Sequence, residues 1–185
     1  MSPQPVLALV ALDAVDPEIL RHLSTAIADL LSLPVRILPS KSLPGHTYHG
    51  ERNQHYSTQL LEYLLGCEDH CEPFRVLGIT AVDLYIPIFT FVFGEAQLDG
   101  KTAIISTFRP RGEPGGVKTP RAVLLDRLLK LSLHELGHTF GLPHCRREGC
   151  LMKFAANLEQ LDRHKLEFCE YCRILLADYF SRNGL

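Results

Sequence analysis

Hydrophobic positions in this chain switch repeatedly between short continuous runs and helical spacing. Residues 6–12 are an unbroken apolar run that reads as a first strand. Asp16 then offers an N-cap and Pro17 a first helical position, and Ile19, Leu20, Leu23, Ile27, Leu30 and Leu31 recur at helical intervals. Residues 35–38 predict a second strand, 39–53 a loop rich in Pro, Gly and His, and Leu60, Leu61, Leu64 and Leu65 a helix that ends at Gly66. Strand, helix and strand in this order predict a right-handed parallel unit.

Further along, residues 74–80, 89–96 and 102–108 are β-branched and aromatic runs. Asp99-Gly100 is a hairpin signal that makes the strand over 90–96 antiparallel to the next. A loop over 109–118 leads to Thr119-Pro120, read as the capped start of a long leucine-rich helix. Residues 158–180 predict a terminal helix interrupted near Cys169. The fold class is therefore α/β (α+β): a mixed twisted sheet with an antiparallel edge strand, standing over one long helix.

That long helix carries the chemistry. It ends in His134-Glu135-Leu136-Gly137-His138, followed by Thr139-Phe140-Gly141-Leu142-Pro143-His144-Cys145. Two histidines four apart share one helical face, and Gly141 can take the left-handed conformation that turns the chain back and brings His144 to the same point. Three neutral imidazoles leave a fourth tetrahedral position of Zn²⁺ open to water, the arrangement of a catalytic site. Glu135, about 100° around the helix from His134, is placed to reach that water and to act as general base and then general acid.

Cys145 and Cys150, with Cys169 and Cys172, form two close pairs. Two disulfides or unrelated buried thiols are alternatives, but paired spacing in a chain without an export signal favours a structural zinc. Met152, between the pairs, reads on its own as a core methionine.

These residues resemble the archaemetzincins, a branch of the metzincin zinc peptidases. The resemblance rests on the His-Glu-x-x-His-x-x-Gly-x-x-His-Cys run, Cys150, Met152 and the Cys169/Cys172 pair. Upstream it continues more weakly through Gly78-Ile79-Thr80, Asp83-Leu84-Tyr85, and Phe91, Val92, Phe93, Gly94, Glu95 and Ala96. It implies a catalytic zinc on His134, His138 and His144 over Glu135, and a second, structural zinc on Cys145, Cys150, Cys169 and Cys172. It also implies a Met-turn at Met152 that floors the site.

At 185 residues the chain is expected to be one catalytic domain over 1–185, with an upper lobe over about 1–141 and a lower lobe over about 142–185. A net charge of −2 without a basic run excludes nucleic acid and anionic membrane as main partners and disfavours a DNA-tethered repair protease. The run at 6–12 is too short for a signal peptide or membrane helix, so the expected location is the cytoplasm, with no room for a propeptide before the first strand. The expected protein is a monomeric zinc peptidase whose substrate, a peptide or protein, pairs with the edge strand over 91–96. The contrasting reading is a zinc-stabilised binding module without activity; a glutamate at 135 speaks against it.

Two signals are set aside. The Gly94 to Thr102 stretch spaces its glycines wrongly for a phosphate loop, and strand rather than helix follows. Cys67 and Cys71 flank His70 without a partner pair and read as free thiols. His22, His46, His49, His55 and His164 read as surface or loop residues, and nothing in the sequence brings His46 or His49 to the cleft.

Overall fold

The computed structural model describes residues 5–66, 74–112 and 116–185. Its first strand, β1 (Leu7–Leu12), is buried along its whole length, as an unbroken apolar run requires. Helix α1 (Pro17–Leu31) starts as expected, with the Asp16 side chain accepting from the Glu18 N–H at 2.9 Å and Pro17 at the first position. Strand β2 (Val35–Lys41) runs longer than its apolar core, and β1 pairs with it in parallel. The predicted loop after it contains a short 3₁₀ turn and a hairpin of β3 (Tyr48–His49) and β4 (Gln54–Tyr56), which lead into α2 (Ser57–Leu65).

Next come β5 (Arg75–Thr80), β6 (Leu84–Tyr85), β7 (Gly94–Ala96) and β8 (Thr102–Ser106). The main sheet has the order β2-β1-β5-β8-β7, all parallel except the edge strand β7, which is antiparallel to β8. A second sheet, β3-β4-β6, was not foreseen, because two-residue strands leave no periodic signal. The run over 89–96 is not one strand. Only its last three residues join the ladder, while Val92 makes an isolated bridge to Leu84.

Alternation along the buried strands sorts side chains between two cores. Leu7, Leu9, Leu77, Ile79 and Ile105 face α1 and the long helix α3 (Arg121–Thr139), whereas Ala8, Val10, Val76 and Ile104 face α2. Sandwiched in this way, the sheet fixes the height of α3. Thr119 does not cap α3: its hydroxyl donates to the Arg111 carbonyl at 2.6 Å, and the helix starts after Pro120 without a side-chain cap. After α3 the chain folds beneath it, with α4 (Leu158–Arg163) and α5 (Glu170–Asn183) separated by the expected break before Cys169. Leu142, Leu151, Met152, Leu161 and Cys172 belong to the same apolar cluster as the strands and α3. Among the described residues no helix is long and apolar enough to cross a membrane.

Gly137 sets how closely that lower segment approaches α3. A β-carbon there would lie 2.5 Å from the sulfur of Met152, which is fully buried. Glycine inside a helix ordinarily costs about 1 kcal/mol relative to alanine. Here the expected sign is reversed: Gly137→Ala should destabilise the fold by roughly 1–3 kcal/mol through overpacking, read as a lower denaturant midpoint. A more stable variant would show that Met152 does not press on the helix.

Candidate metal centres and cleft

Helix α3 ends in a Schellman motif. The Gly141 N–H bonds the His138 carbonyl at 2.9 Å, the Leu142 N–H reaches back to the Gly137 carbonyl at 3.0 Å, and Gly141 has φ +79°. The turn returns the chain against the helix end and brings His134, His138 and His144 together, with one ring nitrogen from each within 4.8 Å of the others. The Nε2 atoms of His134 and His138 are 3.1 Å apart.

Backbone carbonyls orient two of these rings. Nδ1 of His134 lies 2.8 Å from the Leu151 carbonyl, and Nδ1 of His138 lies 2.7 Å from that of Leu142. A carbonyl can only accept, so each Nδ1 is the donor and each Nε2 lone pair is left facing the shared point. Burial lowers the proton affinity of all three rings, holding His134 down at about 3 with help from His138. Neutral rings are the form that ligates a metal.

Glu135 is buried beside this cluster. Burial, reinforced by the negative charge of Glu95, pushes its carboxyl up to about 8. A cation among the histidines would lower it again. Gly94 allows the approach: a β-carbon there would lie 2.8 Å from Oε1 of Glu135 and 2.6 Å from the Ile104 carbonyl. Glu95 is held to the start of α2 by Thr58 Oγ1 at 2.8 Å and Ser57 Oγ at 2.5 Å.

The four cysteines converge as their spacing predicts. Sγ of Cys145 is 3.7 Å from that of Cys169, and Sγ of Cys150 is 3.8 Å from that of Cys172. A disulfide needs about 2.05 Å, whereas sulfurs each about 2.3 Å from one tetrahedral zinc stand about 3.8 Å apart. The donor set fits a thiolate-held zinc. Burial pushes the thiols of Cys150 and Cys172 up, whereas at Cys169 burial is outweighed by hydrogen bonds from the neighbouring cysteines, which bring the thiol down to about 7, so it is the buried pair that needs a cation to become thiolate. For the histidines the same arithmetic, with about 2.05 Å per bond, asks for nitrogens about 3.3 Å apart, close to that observed.

The cleft over the histidines encloses about 380 Å³ between β7 with its preceding segment and residues 151–156. β7 lies at the end of the main sheet, so its outer edge has no strand partner among the described residues. Phe91 and Val92 line the cleft from outside the ladder, and Phe93 is buried. A polar clamp that sequence reasoning missed holds the segment before β7. Arg52 donates to the carbonyls of Phe89 (2.7 Å) and Thr90 (3.0 Å). Gln54 donates to Thr90 and to Asp83, which is paired with Arg109 at 2.6 Å. Phe89 stacks on Phe154 of the opposite wall, with centroids 6.1 Å apart.

Not every expectation about lesser residues holds. His164, read as a surface or loop residue, does follow the end of α4 but is buried and lines the cleft, as does Lys130. Neither His46 nor His49 lines it. Cys67, His70 and Cys71 lie outside the described residues. The carbonyls of Leu142 and Leu151 could not be found from side-chain spacing, because the backbone carries no residue signature.

A triad of imidazoles beside a buried carboxylate, on a mixed α/β scaffold, is the equipment of a zinc metallopeptidase. Known proteins narrow the class. Residues 18–178 match Peptidase family M54. The archaemetzincin of Methanocaldococcus jannaschii is 38% identical over 164 residues, 89% of this chain and 88% of its own. The crystal structure of archaemetzincin from Methanopyrus kandleri superposes with a TM-score of 0.85 at 34% identity, covering 98% of this chain and 100% of that one. A zinc-dependent peptidase from Methanocorpusculum labreanum gives 0.81 at 31% identity, covering 92% and 99%. The chain belongs to peptidase family M54, the archaemetzincins, and is a zinc metallopeptidase.

Proposed function

We propose that the protein hydrolyses peptide bonds at a zinc held by His134, His138 and His144, with Glu135 as general base and acid, and that Cys145, Cys150, Cys169 and Cys172 hold a second, structural zinc. The observation that carries this reading is the convergence of three neutral imidazoles on one point beside a buried glutamate. Zinc bound there would polarise the scissile carbonyl and bring the pKa of water towards about 7.

Glu135, placed off the ligating face, takes a proton from the attacking water. The water oxygen forms the new bond to the carbonyl carbon, the C–N bond breaks, and Glu135 returns the proton to the departing amine. An extended peptide adds to the outer edge of β7 by main-chain hydrogen bonds, which positions its carbonyl above the histidines. The clamp of Arg52, Gln54, Asp83 and Arg109 supports this wall, and Met152 packs under Gly137 as the floor.

Two outcomes test the reading. Glu135→Ala should keep the histidine-held zinc yet lose on the order of 10²-fold or more in peptidase activity on a mixed peptide library. Cleavage at the parental rate would refute the role of Glu135, and inactivity of both forms would favour the binding-module reading. Elemental analysis should find two zinc ions per chain, and a chelator should strip the histidine site first, because an open coordination position exposes the ion while a thiolate cage encloses it. One zinc together with four freely titratable thiols among these cysteines would contradict the second site.

A further inference from the structure

The cleft over the histidines is also lined by the apolar Leu131, Leu151 and Leu161, and, beyond Thr90 and the carboxylates Glu95 and Glu135, its polar lining includes Lys130, Lys153 and His164. Lys130 sits one helical turn before His134 and is only 6% exposed. A lysine is seldom buried so far without a partner, and its ammonium pairs with Asp126 at 2.7 Å. Lys153 pairs with Glu148. Neither acidic partner lines the pocket, and their side chains are 48% and 88% exposed. Two lysines thus line the pocket while the carboxylates they pair with do not.

His164 lines the same pocket, and burial first, then the charges of Lys130 and Lys153, depress its proton affinity against the smaller opposing charge of Glu148. The carboxylates that also line the cleft, Glu95 and Glu135, are engaged towards β7 and α2: Glu95 on β7 is tied to Ser57 and Thr58, and Glu135 lies against Gly94.

We propose that this pocket selects an acidic side chain, aspartate or glutamate, flanking the scissile bond, with Lys130 and Lys153 as its cationic partners. The proposal rests on the peptidase reading above and names the substrate class of that same site. An exposed pair such as Lys153 with Glu148 contributes little and yields readily to a better acceptor. A carboxylate within leucine walls gains more from the same ammonium, since the local dielectric is lower and the hydrogen bond is charge-assisted. The walls accept the methylenes of a glutamate, and His164 adds a further ring nitrogen within the pocket. Specificity for a charged group also follows by exclusion, because a lysine or arginine side chain would face two like charges.

The test uses zinc-loaded protein and a fluorescent alanine-based octapeptide carrying one glutamate at each position in turn, with the glutamine counterpart as control. Fluorescence anisotropy gives binding and mass spectrometry gives cleavage. At one position the glutamate peptide should bind about tenfold more tightly than its glutamine partner, and cleavage should fall next to that residue. Lys153→Gln should remove most of the preference and Lys153→Glu should reverse it; Lys153 is partly exposed, so both proteins are expected to fold. Equal binding of both peptides at every position, or an unchanged preference in Lys153→Glu, would overturn the proposal. Hydrolysis without preference would overturn the pocket and leave the peptidase reading standing. Selective binding without hydrolysis would support the pocket and count against the peptidase reading.

Discussion

The backbone between Gly141 and Met152 is the constraint on which the rest of the site depends. His144 belongs to one cluster and Cys145, the next residue, to the other, so the two side chains must diverge from adjacent positions. The Cys145 N–H bonds the Met152 carbonyl at 2.8 Å, which closes the segment on itself. Cys150 adjoins Leu151, whose carbonyl orients His134. A displacement of the cysteines would therefore reach both His144 and His134 through covalent neighbours.

Around this segment, burial decides the electrostatics. Sheet and helices cover α3 so fully that the histidines are neutral and ready to ligate, while Glu135 is kept from ionising easily. At the thiol cluster burial works against ionisation of Cys150 and Cys172, so a cation is what would let this buried pair become thiolates. Neither cluster is comfortable alone. Each is the kind of buried polar assembly whose cost is offset only when its ligand is bound.

Local chemistry was the part most legible in the sequence. The helical spacing of His134 and His138, the left-handed Gly141 and the Asp16 cap all act within a few residues, so spacing alone exposes them. The buried strands were equally plain, because both faces are covered and every position is apolar. What escaped was set by distant partners. Phe89 to Val92 has strand composition but is drawn out of the ladder by Arg52 and Gln54, thirty-odd residues away in the chain. Lys130 and His164 are polar residue types that usually face solvent, and only tertiary packing turns them into a pocket.

The dependence of one centre on the other can be measured directly as zinc affinity at the histidine site. Cys172 is on α5 with its sulfur 3.8 Å from that of Cys150, so Cys172→Ser alters the thiol cluster while leaving the three histidines and the residues whose carbonyls orient them in place. In protein whose helical circular dichroism is unchanged, zinc competition with a chromophoric chelator should show the histidine site weakened about tenfold or more relative to the parent. Parental affinity at the histidines in that variant would contradict the coupling and leave the cysteine centre as a local staple for the segment below α3.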